Sequence, residues 1–376
     1  MRHDPMIRAW VGCAVAVGLL VLGPTPGLAF HWWGEEESIR EVLVAGADLH
    51  LARQGTYANA CGGGYGPPAV AAIEGTWEWE IGSEWTCWNV GGISATGLLA
   101  AWERVRHPGY LNGAIAAGDT LAARYETIVT DDPEGAEWED RPFSQDIEFL
   151  VRLARDSRDH SYARVARDWY RIVTDGKTAE ENADRYIDAR GSLAGWDLAS
   201  HIRAARAVGE WRYARDMAKR LLERRQDWEG VLYGGWDYTV SSYASLLWAF
   251  AELRFGGHEI AAAEREFRDL VLEAQAQEGL QKGSWGGGDY QTTAYAVLGL
   301  DAADGPREVA RALGRAFAFL RDTQTAAGGW SSPPEYGEVN SEVLMALGGL
   351  RWWEIAGPLD DPAPGALLRP AATPLK

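Results

Sequence analysis

Along this chain, apolar stretches too continuous for a surface helix alternate with stretches whose apolar residues recur every three or four positions. The first kind follows a Gly/Trp turn and a short polar residue. Trp88-Asn89 leads into Ile93-Ser-Ala-Thr-Gly-Leu-Leu, Ser144-Gln145-Asp146 into Ile147-Glu-Phe-Leu-Val, and Gly195-Trp196-Asp197 into Leu198-Ala-Ser-His-Ile. Gly235-Trp236-Asp237, Gly288-Asp289 and Gly337-Glu338 open three more, and the stretches 243–250 and 292–300 carry no charge. A helix apolar nearly all round is buried on most sides. The second kind starts near Tyr110, Tyr162, Tyr213, Glu259 and Glu308, with Arg, Glu and Asp between the apolar positions. That pattern gives one buried stripe and one wet face.

The polar anchors Asn89, Asp146, Asp197, Asp237, Asp289 and Glu338 are separated by 57, 51, 40, 52 and 49 residues. A period of this size marks a repeat architecture, in which each unit buries its apolar face only against its neighbours. Six such pairs predict an all-α fold, an (α/α)6 toroid. Buried inner helices form a ring, amphipathic outer helices surround it, and every anchor sits at an inner-helix N-terminus on one face. There short polar side chains cap free N–H groups, and the Gly/Trp loops rim a central cavity. Trp77 to Trp88 reads as a long loop over that mouth, with at most a short strand.

Two segments fall outside the ring. Residues 1–29 join basic Arg2, His3 and Arg8 to an apolar run from Ala9 to Gly23 and close on Gly27-Leu28-Ala29. This is the pattern of a cleaved signal peptide, and the run is short for a membrane anchor. The toroid domain then spans 30–356, and the proline-rich 357–376 is a disordered tail. A secreted or periplasmic location follows, with no stable membrane span after processing. In that compartment the two remaining cysteines, Cys61 and Cys87, are expected to pair as a disulfide. A net charge of −18 over 376 residues argues against nucleic acid and anionic lipid as partners. No cofactor or metal is expected, and the protein is expected to be a monomer.

Gln324-Thr-Ala-Ala-Gly-Gly-Trp330 resembles the QW repeat of the terpene cyclase and protein prenyltransferase toroid superfamily. Gln277 to Gly283-Ser-Trp285 is similar with two extra residues, and Gln226 to Gly235-Trp236 more loosely so. The resemblance implies the same toroid and gives Trp285 and Trp330 a structural role. It does not carry the chemistry. Protonating cyclases hold an Asp-x-Asp-Asp-Thr-Ala acid motif after such a turn; here the positions read Thr239-Val-Ser-Ser-Tyr-Ala244 and Asp289-Tyr-Gln-Thr-Thr-Ala294. The second half of the chain also lacks the cysteine that the prenyltransferase zinc site needs.

What remains is a mouth ringed by carboxylates and tryptophans, suited to a carbohydrate or other small-molecule ligand. The same architecture hosts secreted glycoside hydrolases and polysaccharide lyases. A hydrolase needs two carboxylates about the glycosidic bond, and Asp146, Glu148, Asp197, Asp237 and Asp289 are the candidates. A lyase needs a base near neutrality, which singles out His201, one helical turn beyond Asp197. Trp85, Trp88, Trp196 and Trp236, with Asn89 and Asn340, are the candidate substrate-binding groups. Two other readings compete: a toroid that binds an apolar, terpenoid-like ligand, and a non-catalytic repeat module whose anchors are only caps. A cavity lined by carboxylates and indoles favours a sugar, Phe and Leu walls a terpenoid, and a filled ring the structural module.

Overall fold

A computed structural model describes residues 26–59, 70–131, 143–253, 257–303, 305, 307–330 and 335–350. In chain order the helices are α1 (Pro26–Ala52), α2 (Trp88–Val105), α3 (Pro108–Asp131), α4 (Ser144–Ser157), α5 (Ser161–Thr174), α6 (Ala179–Arg190) and α7 (Ala194–Ala207). They continue as α8 (Trp211–Glu223), the single turn α9 (Arg225–Trp228), α10 (Thr239–Glu252), α11 (His258–Glu273), α12 (Tyr290–Ala302), α13 (Arg307–Thr323) and α14 (Gly337–Gly349). Helices α2, α4, α7, α10, α12 and α14 each pack on the next, and α14 packs on α2, so they close a ring. The other long helices stand outside it. The two hydrophobic patterns divide as expected: α10 is buried without a break from Ser241 to Ala251. By contrast, α5 buries one stripe, Tyr162, Val165, Ala166, Trp169 and Val173.

The inner helices run in parallel, because their first turns bond to one another around the ring. Gly92 N donates to Asp146 Oδ1 at 3.1 Å, and Trp196 N to Ser242 Oγ at 3.0 Å. Ser241 Oγ lies 2.9 Å from Thr292 Oγ1, and Gln291 Nε2 reaches Glu338 Oε1 at 3.4 Å. All the anchors therefore lie at one mouth. The seam between the first and last inner helices closes through Gly97, whose N–H donates to Ser341 Oγ at 2.9 Å. A Cβ at Gly97 would sit 2.4 Å from that Oγ and 2.7 Å from the Ser341 carbonyl oxygen, so the two helix backbones touch only because residue 97 is glycine.

Two elements depart from the predicted pattern. A small sheet precedes the ring, with β1 (Gly55–Asn59), β2 (Val70–Thr76) and β3 (Trp85–Thr86) in the order β2-β1-β3. β1 is antiparallel to β2 and parallel to β3. The stretch leading into β3 straps the start of α14, with Ile81 N bonded to Glu335 O at 2.8 Å and Gly337 N to Trp79 O at 3.0 Å. Helix α6 is also additional, packed against α7 and α8 where the period allowed one outer helix. Helix α1 begins at Pro26 and runs through the expected processing point at Ala29. The rest of the signal segment, Cys61 and the 357–376 tail lie outside the described residues.

The QW resemblance holds in one copy as read and shifts in two. Trp330 is fully buried with Nε1 bonded to Leu320 O at 2.7 Å, and Gln324 Nε2 donates to Gly328 O and Val42 O at 2.6 and 2.9 Å. In the second copy Trp285 is equally buried, but the tying glutamine is Gln275, which reaches Gly283 O and Ala312 O at 2.9 Å, not Gln277. Gln275 stands just past the end of α11 as Gln324 stands just past α13, and only from there does the amide reach the next turn. In the third copy Trp228 is the buried indole, bonded to Leu221 O at 3.1 Å, while Trp236 is 70 % exposed.

Candidate functional site in the lumen of the ring

Most anchors prove to be helix-end groups. Asp289 caps α12, its Oδ2 accepting from Thr292 N at 2.6 Å. Asp237 is exposed and accepts from Thr239 N at 2.9 Å. Asp146 is wholly buried, clamped between Gly92 N and Phe143 N, and burial pushes it up to about 7. Asp197 and His201 share the outward face of α7. Asp197 lies 3.7 Å from Arg190 Nε of α6, and burial lifts it to about 6. His201 Nε2 meets the Tyr186 hydroxyl of α6 at 2.7 Å, and burial drives it down to about 3. Asn340 holds the Trp330 turn, accepting from Trp330 N at 2.8 Å. Trp85 stacks with Trp79, and the Arg124 guanidinium lies 4.1 Å over Trp88. Asn89 has no hydrogen-bond partner for its buried Oδ1. Of all these candidates, Trp196 is the one that reaches across the ring.

Trp196 on α7 meets Tyr295 on α12 edge to face, 4.8 Å between centroids. Helix α10 stands between those two in the ring, so this contact crosses the interior and marks the lumen face of both helices. Two turns below Trp196, on the same face, is Arg203. Its Nε donates to Glu148 Oε2 of α4 at 2.9 Å, and its guanidinium lies 3.6 Å over Trp248 of α10. Arg203 is 2 % exposed and its Nη1 has no hydrogen-bond partner. On α12, Gln291 sits one turn above Tyr295 and donates to two carboxylates of α14, Glu338 at 3.4 Å and Glu342 at 3.1 Å. Ser245 of α10 is buried with a free hydroxyl.

The lumen thus holds carboxylates, an amide, a phenol and a guanidinium among indole faces. Sequence reasoning passed over Glu338 and Glu342 as a pair, and Arg203, Gln291, Tyr295 and Trp248 altogether. Part of their signal was present: Arg203 and Glu342, like the candidate Glu148, are charges set beyond the capping turns of inner helices, where a buried charge needs a partner. Among the described residues no group of three His, Cys, Asp or Glu side chains is placed to hold a metal. No described helix is long and apolar enough to cross a membrane.

No family model matches the chain, and no curated protein matches it. Solved structures do. A variant of the type II terpene cyclase MstE from Scytonema aligns over 84 % of this chain and 98 % of its own, at 15 % identity and a TM-score of 0.55. The GH76A alpha-1,6-mannanase from Salegentibacter sp. HEL1_6 aligns over 83 % and 98 %, at 12 % identity and a TM-score of 0.56. An inactive variant of that mannanase, in complex with alpha-1,6-mannotriose, gives 13 % identity and a TM-score of 0.58 over the same shares. The fold of this chain is the α/α toroid. At such identities the likeness extends to the fold alone, and what the site does has to come from the residues of the lumen.

Proposed function

We propose that this protein is a secreted or periplasmic carbohydrate-active enzyme that hydrolyses a neutral glycan in the lumen of its ring. The lumen's lining carries the reading: the Trp196, Trp248 and Tyr295 rings stand beside hydrogen-bonding groups that have capacity to spare. Flat apolar faces suit sugar rings, and the unpartnered Arg203 Nη1, Glu342 Oε2 and Ser245 Oγ suit sugar hydroxyls. The aromatic walls by themselves also suit an isoprenoid. The Arg203–Glu148 pair ranks the sugar above it, because a ligand without hydrogen-bonding groups leaves a buried polar group unsatisfied at a cost of about 1–3 kcal/mol.

Elimination is the weaker reading. His201 faces α6, and a base pushed down to about 3 is poorly matched to proton abstraction near neutrality. A chain of net charge −18 also repels uronates. Export rests on the signal-like 1–29 segment, and with export goes a Cys61–Cys87 disulfide across the glycine-rich stretch that joins them. The test is a panel of neutral and uronate polysaccharides incubated with the mature protein. New reducing ends without unsaturated products support hydrolysis. Unsaturated uronate products would replace it with elimination, and turnover of a polyisoprenoid alone would replace it with the apolar-ligand reading.

A further inference from the structure

Glu338 and Glu342 stand one turn apart on the lumen face of α14, and both accept from the same atom, Gln291 Nε2. Neither is in an ion pair among the described residues. Glu342 is 2 % exposed, and its Oε2 is buried with no hydrogen-bond partner. The groups that face the pair offer no cation. Helix α12 brings Gln291, Tyr295 and, at its N-terminus, Asp289. Helix α2, on the other side, has no titratable residue between Trp88 and Leu99. From α7, Arg203 acts on Tyr295 while its own ion pair is with Glu148. The outer helix α1 packs on the far side of α14.

We infer that Glu338 and Glu342 hold one proton between them, and that Glu342 Oε2 delivers it to the leaving oxygen of the glycosidic bond. The second clause rests on the hydrolase reading; the first does not. Two carboxylates this close, buried and without a counter-ion, cannot both ionise near neutrality. Burial first, and then the neighbouring carboxylate, hold Glu342 well above the ordinary range, and burial lifts Glu338 up to about 7. The amide of Gln291 steadies Oε1 of both residues, the Tyr295 hydroxyl stands beside the Glu342 carboxyl, and the buried Glu342 Oε2 has no hydrogen-bond partner of its own.

The step balances without a further reactant. The proton leaves Glu342 Oε2 for the glycosidic oxygen as the bond from that oxygen to the anomeric carbon breaks, releasing an alcohol. Water adds its hydroxide to the anomeric carbon, giving a hemiacetal. Its remaining proton returns to the pair, which, doubly ionised, is the strongest proton acceptor in the lumen.

The experiment compares intact wild type with Glu342→Gln, which preserves shape, and with Glu338→Gln. An infrared difference spectrum at pH 8, where Glu338 alone is ionised, between wild type and Glu342→Gln should show the loss of one protonated carboxyl. An unchanged carboxyl signal overturns the shared proton, whatever the activity. On any glycan that wild type cleaves, Glu342→Gln should be slower by about 10²-fold or more, the usual contribution of a general acid. It should keep most of its rate on an aryl glycoside, whose leaving group needs no proton. Equal losses on both substrates, or no loss on either, overturn the acid role. A silent panel with the carboxyl signal lost would sink the hydrolase reading and leave the proton-sharing pair standing.

Discussion

Replacing Arg203 with methionine should destabilise the protein by about 3–5 kcal/mol, because it strands Glu148 inside the ring. Arg203 is 2 % exposed and bonded to Glu148 through Nε at 2.9 Å. Two unit charges about 4 Å apart attract by about 4 kcal/mol at an effective dielectric constant of about 20. The guanidinium also lies 3.6 Å over the Trp248 ring, and a desolvated contact of that kind is worth about 2 kcal/mol. Methionine keeps part of the stem packing, which offsets some of the loss. The same reasoning predicts rescue. Arg203→Met combined with Glu148→Leu removes both charges, and should return stability to within about 1 kcal/mol of wild type or above it. Urea denaturation followed by circular dichroism at pH 7, on wild type, both single variants and the double, gives the cycle. The coupling energy should be at least about 2 kcal/mol. A single-variant cost below about 1 kcal/mol, or a double variant as unstable as the two costs together, would refute the account of a buried pair held by mutual neutralisation.

Three further outcomes follow from the same structure. Gly97→Ala should cost at least about 1–3 kcal/mol by overpacking the seam between α2 and α14, and thermal unfolding at the wild-type temperature would show the Cβ to be accommodated. Stability should fall as pH rises from about 4 to about 7, since Asp146 and Glu338, raised to about 7, keep protons in the folded state that the unfolded chain has shed. His50 and His201, driven down to about 4 and about 3 by burial, act in the opposite direction up to about pH 6.5, so the fall should be clearest between pH 6 and 8. Greater resistance to urea at pH 8 than at pH 6 would contradict that. Finally, the protein produced with export through its 1–29 segment should show no free thiol when denatured without reductant, and reduction should lower its melting temperature; two titratable thiols would remove the proposed Cys61–Cys87 bridge.

The ring was legible because burial writes itself into composition. The stretches 243–250 and 292–300 are surrounded on most sides and so lack charge, and the outer helices keep one wet face. Trp330 was legible because its turn repeats. The sheet was not, since β1 is five residues long and alternation over Gly55-Thr-Tyr-Ala-Asn59 is faint. Helix α6 was missed because Glu180, Glu181, Asp184 and Asp188 swamp its apolar stripe, although Thr178 and Glu181 form a capping box. The sequence reading centred the candidate site on the anchors for a physical reason. Asp and Asn after a turn are chosen by helix ends as strongly as by catalysis, so the anchors drew attention to the rim. Charges further along the same helices, Arg203 and Glu342 beside the candidate Glu148, stand where capping explains nothing.

The claim that the lumen, and not the outward face of α7, is the working site is tested most directly by one comparison. Release of reducing ends from the best neutral glycan should be measured for wild type, Glu342→Gln and Asp197→Asn under identical conditions. The account predicts that hydrolysis collapses in Glu342→Gln and is unchanged in Asp197→Asn. Hydrolysis that survives Glu342→Gln and disappears in Asp197→Asn would contradict it and place the chemistry between α6 and α7.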